Sequence, residues 1–450
     1  MKPESAISSV SPKDDHSGVT RREFLSTVAQ SAVVASAFVA WPVAAAAIRT
    51  SAGRSSARRK RIALLATEVR KYSHAQHFID RFLEGYGWQG RHHFPPFELA
   101  GLYVDQFNEG DLSRDRARRH RVKIYPTIEE ALTLGRSQLA VDGVLIIAEH
   151  GFYPRTEKGQ TRYPRHQFFE RTVKVFEASG RAVPVFNDKH LSTDWNECVS
   201  MVQKARRLGF PFLAGSSLPV TWRIPSIEVP LNTAMEESVC VGYGGIDAYD
   251  IHGLETAQCM SERRAGGETG VKSVQAIRGQ KVWQRLAERE ATQRLFFAAL
   301  ARSFTCSGSA KYPGTLPDLE WLRQNHRNPV AYFIEHLDGF RTSLFLLNGI
   351  VSDFNYAGLL RRTGEILSCQ MYLPMPPALA TLADFFNPLV NNIERMLIDN
   401  AAPYPVERTL LTSGMVIFAL ESLYRGQSQV ETPELNVAYR APAQSTYWNA

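Results

Sequence analysis

The sequence predicts an α/β protein in which a Rossmann-like parallel sheet precedes an α+β domain built on an open antiparallel sheet. Two observations carry this. Between Arg61 and Ala214, short apolar runs suited to buried strands alternate with amphipathic segments of helical spacing. Past Pro219 the alternation stops, and the apolar runs 331–337 and 340–347 are joined by Asp338-Gly339, a strong hairpin signal.

Taken in order, Ile62-Ala63-Leu64-Leu65-Ala66 reads as a buried strand, and Ala75, Phe78, Ile79, Phe82, Leu83 and Tyr86 follow at helical spacing. A second strand at 98–104 ends on Asp105. Thr127-Ile128-Glu129-Glu130 has the form of a capping box opening a helix. Residues 143–148 form the next strand, 168–178 a helix, 182–186 a strand, 198–208 a helix and 210–214 a fifth strand. Apolar strands separated by helices imply a parallel sheet covered on both faces. In the second part, 226–242 and 270–277 are longer mixed segments, and the apolar residues of a helix at 413–424 read as core. Glu407 and Arg408 read as an ion pair at that helix's start. The expected division is 1–47 signal segment, 48–60 basic linker, 61–218 Rossmann-like domain, 219–430 second domain and 431–450 tail.

Composition narrows the function. With 44% apolar and 22% charged residues, the 450-residue chain has the make-up of a soluble globular protein. The richest internal apolar run, 340–351, is broken by Arg341 and Asn348, so no membrane span is expected beyond the N-terminal segment. The net charge of +7 does not point to nucleic acid, because the basic residues fall in the linker (Arg54 to Arg61) and on one solvated segment (Arg114 to Arg121). Five scattered cysteines suit neither a zinc ribbon nor a disulfide framework.

Arg21-Arg22 leads into a run of small apolar residues from Val28 to Ala47, closing on four alanines. This resembles a twin-arginine export signal, which carries folded proteins across the membrane, often with a cofactor loaded. The alternative is a retained anchor. The run is barely long enough to span and contains Gln30 and Pro42.

The order of elements resembles the Gfo/Idh/MocA family, from about Arg61 to Gln429. A strand ends at Asp105, a basic helix leads to Val122-Lys123-Ile124-Tyr125, and Val141-Asp142-Gly143 opens the next strand. Gly180-Arg181-Ala182-Val183-Pro184-Val185-Phe186-Asn187-Asp188-Lys189 then sits where the family has Gly-Lys-x-Val leading to Glu-Lys-Pro. The resemblance implies NAD or NADP as cofactor, with Thr67, Arg70, Asp105, His150 and Asp188 around it. It also implies a small, carbohydrate-like substrate and a homo-oligomer. Lys189 matches the family's lysine; Asp188 and His190 replace its glutamate and proline. His252 matches the family's histidine, and Asp250 stands near the family's acid, whose own position holds Ala248. Lysine, histidine and carboxylate would move a hydroxyl proton while hydride leaves the same carbon.

The first turn departs from the family. A dinucleotide fold wants Gly-x-Gly-x-x-Gly there, so that backbone can approach the pyrophosphate; this chain has Ala66-Thr67-Glu68-Val69-Arg70-Lys71-Tyr72-Ser73. Asp105 favours a free ribose hydroxyl and hence NAD, whereas Arg114 to Arg121 favour NADP. Arg263, Arg264 and Glu268, around the Gly266-Gly267 turn, are candidates for binding a carboxylated or hydroxylated ligand. His150, His190 and His252 lack metal-motif spacing, and no metal is expected. Three functions stay open: an exported sugar or polyol oxidoreductase, a carbohydrate-binding or structural protein that has lost the dinucleotide, and a lyase or isomerase using the same cleft.

The arginine pair generates a test. Arg21→Lys with Arg22→Lys is expected to trap an uncleaved precursor in the cytoplasm, read by fractionation and blotting. Normal export of the double variant would dismiss the twin-arginine reading.

Overall fold

The computed structural model describes residues 58–307, 316–376 and 382–448, so the signal segment lies outside the described residues. The first layer is laid down by β1 (Lys60–Ala66), α1 (His74–Glu84), a hairpin of β2 (Tyr86–Trp88) and β3 (Arg91–His93), β4 (Phe97–Val104), α2 (Ser113–His120), β5 (Lys123–Tyr125) and α3 (Ile128–Thr133). It is completed by β6 (Gly143–Ile147), α4 (Arg165–Ser179), β7 (Val185–Asp188), α5 (Trp195–Leu208) and β8 (Phe212–Gly215). The strands form a parallel sheet in the order β5-β4-β1-β6-β7-β8. β1 and β6 lie innermost, and every residue from Ile62 to Ala66 and from Gly143 to Ile147 is buried, as their unbroken apolar runs require. Thr127 caps α3, its hydroxyl accepting from the Glu130 amide at 3.1 Å. The expected five strands become six because β5, three residues long, pairs at the sheet's edge.

The second layer is an eight-stranded sheet. Its strands are β9 (Arg223–Ile224), β10 (Met235–Gly242), β11 (Val271–Arg278), β12 (Val330–His336), β13 (Arg341–Leu346), β14 (Phe354–Leu360), β15 (Ile366–Met371) and β16 (Val430–Glu431). They lie in the order β16-β11-β12-β13-β10-β14-β15-β9. The Asp338-Gly339 turn joins β12 to β13 as expected. The sheet is mixed rather than purely antiparallel, since β10 runs parallel to β13. A parallel pair needs a long crossover, and here the intervening chain supplies one. One face takes α6 (Asp250–Ser261); the other is covered by α7 (Gln280–Ala287) and α8 (Glu290–Leu300), whose Val282, Trp283, Leu295 and Phe296 pack with Val239 and Phe345.

The chain then returns to the first layer through α10 (Asn387–Asp399) and α11 (Glu407–Tyr424), after a short α9 (Leu319–Asn325) earlier in the second layer. Lys60 Nζ donates to the Leu397 carbonyl at 2.6 Å, and Arg81 Nε to Asn387 Oδ1 at 2.7 Å. Leu410 and Ile417 of α11 share a core with Val144 and Val202. A boundary at 218 therefore marks where the second sheet begins, not where contributions to the first layer end. Arg408 does not pair with Glu407. It forks onto Glu262, the residue just past α6, at 2.8 and 2.5 Å, both side chains buried, while Glu407 pairs with Arg206. The expected tail is integral: Thr432 N donates to Lys272 O, Tyr439 Oη donates to Glu262 Oε2 at 2.8 Å, and Trp448 N donates to Val220 O.

Gly414 of α11 tests that integration. A Cβ there would lie 2.3 Å from Leu435 Cδ2 and 2.8 Å from Trp195 Cζ3. Gly414→Ala gains about 1 kcal/mol in helix propensity, yet overpacking costs about 1–3 kcal/mol. A lower unfolding midpoint is expected by calorimetry, whereas a loose tail would let the alanine raise it.

Candidate active site

At the carboxyl edge of the parallel sheet, charged side chains converge from both layers. Glu149 follows β6, Lys189 follows β7, and Arg165 opens α4. Glu149 pairs with Arg165 through Oε2 and with Lys189 Nζ at 3.0 Å through Oε1, all three buried. Lys189 Nζ also donates to the carbonyl of Ala248, in the turn before α6, at 3.1 Å. Arg165 Nη1 lies 3.3 Å from His190 Nε2, and that nitrogen is 3.9 Å from Asp247 Oδ1. A lysine of the first layer and the 247–252 segment of the second thus meet in one buried cluster.

The backbone is held against its preferences there. Lys189 (φ 62°), His150 (φ 74°) and Asp247 (φ 66°) all occupy the left-handed region without being glycine, a cost of about 1–3 kcal/mol each. Lys189 is fixed by a bridge to Gly215, its amide donating to that carbonyl at 3.2 Å. Asp247 is fixed by donors: the Thr161 amide reaches its Oδ2 at 2.6 Å, and its own amide donates to Asp250 Oδ2 at 2.9 Å. Such strain gathers where side-chain direction matters more than local stability.

The charge states follow. Burial opposes ionisation of Glu149, but Lys189 and Arg165 outweigh it and hold the carboxyl well below its usual range. Burial likewise works against the Lys189 ammonium, and Glu149 and Asp188 overcome it, so Lys189 stays charged. Burial, then the Lys189 charge, pushes His252 well below 6.5 and keeps it neutral. His190 is kept neutral by burial and Arg165, and His150 is lowered to about 3, by burial first. Burial lifts Asp247 to about 7.

Several buried atoms here have no hydrogen-bond partner: Asp188 Oδ1, His150 Nε2, His190 Nδ1, His252 Nδ1 and Asp247 Oδ1. These five atoms gather around the Lys189–Glu149–Arg165 cluster, and a buried polar group left without a partner is costly until a ligand or water takes it up.

The expected residues take these places. Lys189 meets the turn before α6, its Nζ 5.8 Å from the Tyr249 ring centroid, and His252 in the first turn of α6 stacks edge-on against Tyr249 and Phe354. Asp250 is turned inward to accept from Asp247 N, Ile251 N and Tyr332 Oη, which makes it a positioning residue for the turn. Asp188 keeps Oδ2 on His74 Nδ1 at 2.6 Å, at the start of α1. His150 keeps Nδ1 near Arg70 Nη2 at 3.3 Å. Asp105 is exposed and accepts from Tyr103 Oη and Tyr153 Oη at 2.7 and 2.6 Å. Thr67 is the first correction: its hydroxyl is committed to Glu149 O at 2.7 Å and is buried. Arg263, Arg264 and Glu268 are the second. Arg264 forks onto Glu268, which also accepts from His336 Nδ1 and Gly270 N, while Arg263 donates to Val229 O and Pro442 O. These donors are spent on tying the turn to β12 and the C-terminal segment, not turned toward a ligand.

Glu149, Arg165, His74 and Asp247 are the site residues that sequence reasoning left without roles. Glu149 carried one usable signal, its position directly after an apolar strand; Arg165 and His74 carried none.

No protein-family model matches the sequence, and no curated protein matches it. Solved structures do. GenD2 from gentamicin A biosynthesis, in complex with NAD, superposes with a TM-score of 0.51 at 11% identity, covering 84% of this chain and 98% of that one. Myo-inositol dehydrogenase from Lactobacillus casei, in complex with NAD(H) and myo-inositol, gives 0.51 at 12% identity, covering 86% and 100%. The chain shares the fold of these proteins. The expected architecture, a Rossmann-like layer followed by an open-sheet layer, is thereby met at nearly full length.

Glu255, one turn beyond His252, tests the electrostatics. It accepts from Ser216 N and Oγ between the layers, and burial raises it to about 7. A carboxyl whose folded pKa exceeds its unfolded one binds more protons when folded, so stability falls as pH rises from about 4.5 to about 7. Glu255→Gln should flatten that fall in the unfolding midpoint across the same window; an unchanged slope would show the carboxyl ionised throughout.

Proposed function

We propose that the chain is an exported oxidoreductase acting on a secondary alcohol of a sugar- or polyol-type molecule, with a nicotinamide dinucleotide as hydride acceptor. The observation that carries this reading is the meeting of Lys189 with the 247–252 segment at the carboxyl edge of the parallel sheet, where open α/β sheets place ligands. The shared fold supports it, since both solved relatives were determined with NAD or NAD(H), one of them also with myo-inositol.

The chain's residues fit a dinucleotide through side chains. Unpartnered His150 Nε2 and Asp188 Oδ1 face the site, Asp105 retains acceptor capacity for a ribose hydroxyl, and the Arg70 side chain is 43% exposed beside the first turn. The bound cofactor supplies the hydride acceptor. Lys189, held as an ammonium by Glu149, donates a hydrogen bond to the substrate oxygen and stabilises negative charge as it develops. Neutral His252 accepts the hydroxyl proton, for which the lysine has no free site. Asp250 and Tyr332 hold the turn that presents His252.

One observation favours a second reading. Glu68, buried in the first turn, is bound by Arg70 Nε at 2.7 Å and Asn108 Nδ2 at 2.6 Å, so a carboxylate stands where the fold usually offers glycine backbone to phosphate. Without a dinucleotide, the same lysine and histidine would serve proton abstraction in a lyase or isomerase.

Mass spectrometry of the small molecules released by denaturing the purified protein decides between them. A nicotinamide dinucleotide is expected; its absence, with no binding of added NAD or NADP by calorimetry, would leave the second reading. In the first case, Lys189→Ala and His252→Ala should each cut turnover by about 10²-fold or more, and the double variant should lose little beyond either single one. Near-normal turnover in both single variants would remove these residues from the mechanism.

A further inference from the structure

A cavity of about 1050 Å3, none of whose lining residues belongs to the charged cluster, opens between α1, the β2–β3 hairpin, the start of α10 and the C-terminal segment. Phe386 stands between the two places, with His74 edge-on to it at 5.1 Å and cavity-lining His77 stacked on it at 5.1 Å. Three indoles from three distant parts of the chain line the cavity. Trp88 of the hairpin and Trp448 have ring centroids 4.2 Å apart, and Trp222 lies edge-on to Trp448 at 6.1 Å. All three are half-buried, which leaves ring surface open to the cavity.

The polar wall says what such a ligand is made of. Asp80 is balanced by Arg116 at 2.9 Å and Glu84 by Arg119 at 4.0 Å, and Arg81 and Arg91 also line the space, so the cavity carries no excess negative charge to select a cation. Asp384 takes Tyr372 Oη on Oδ2 at 3.1 Å, while its Oδ1 is buried without a partner. An apolar ligand would leave that oxygen unsatisfied, and an anion would be repelled by it. A neutral ring with apolar C–H faces and hydroxyls on its rim answers both demands: C–H groups pack on the electron-rich indole faces, and a hydroxyl donates to Asp384.

We infer that this cavity is a saccharide-binding site separate from the cleft, with Trp88, Trp222 and Trp448 as the stacking surface and Asp384 as the acceptor that orients the ring. It does not rest on the dinucleotide reading. It gives work to the hairpin inserted between α1 and β4, which contributes no residue to the charged cluster, and to the Trp448 end of the C-terminal segment.

The test is calorimetric titration of the full chain, with tryptophan emission followed in parallel, using cellobiose, maltose and myo-inositol as probes. Saturable binding of at least one, with an emission change, is expected. Trp448→Ala should weaken it by about tenfold or more; Asp384→Asn, which keeps the volume, should weaken it with the unfolding midpoint unchanged. Lys189→Ala should leave it intact. Absence of saturable binding by all three probes overturns the inference. So does binding that survives Trp448→Ala and Asp384→Asn but is lost in Lys189→Ala, which would put the sugar in the cleft.

Discussion

The Glu149 carboxylate, set between Lys189 and Arg165, is the contact on which the rest of the site depends. Two cations and one anion lie out of reach of water, and none could stay there alone, because an uncompensated buried charge costs several kcal/mol at least. Glu149 settles the cations, and the surplus positive charge then falls on the histidines nearby. His252 and His190 remain neutral because burial and a neighbouring cation act in the same direction. Glu149 thus keeps Lys189 charged, while burial and the cations, against the pull of Glu149, keep the histidines neutral. Its backbone is equally committed: the Glu149 carbonyl takes the Thr67 hydroxyl, tying the end of β6 to the turn after β1.

The second constraint is α6, every residue of which is buried. A helix enclosed on all sides has to satisfy its polar groups with partners from each neighbour. Glu255 meets Ser216 of the first layer, Gln258 meets Glu268 and Tyr439, and Glu262, just past the helix, meets Arg408 of α11. On the sheet side, Gly253 allows Leu344 to approach so closely that a Cβ would lie 2.4 Å from it. The helix that presents His252 is thus gripped by both sheets and by the C-terminal chain. Positioning of the site is a property of the whole described fold rather than of one loop.

What could be read from sequence follows a physical division. Strands such as 62–66 and 143–147 were legible because burial on both faces leaves no polar residue in the run, and Asp338-Gly339 was legible because its turn chemistry is local. β5 was too short to declare itself as a sheet strand, and the parallel β10–β13 pair depends on contacts about a hundred residues apart. The return of α10 and α11 to the first layer left no trace either, since an apolar helix face does not say which sheet it will cover. Lys189 could be found because it sits just past a strand end. Arg165 could not, because its meaning comes only from Glu149 and His190 in space. Arg263, Arg264 and Glu268 misled for the converse reason: charged residues around a glycine turn look like surface, and here they form a buried network.

The first turn shows how far a shared fold can separate from a shared recognition chemistry. Glycine backbone meets phosphate with N–H groups at no side-chain cost, and it does so in any charge environment. Here the turn offers a guanidinium already engaged by Glu68 and neighboured by His150, so an anion arriving at Arg70 must compete with a carboxylate that belongs to the protein. Competition of that kind lowers affinity unless binding elsewhere compensates, and the compensation available lies at the other end of the cleft, in the unpartnered atoms of Asp188, His190 and His252. On the proposed dinucleotide reading, recognition rests less on the phosphate turn than on the end of the site where Lys189 meets the turn before α6.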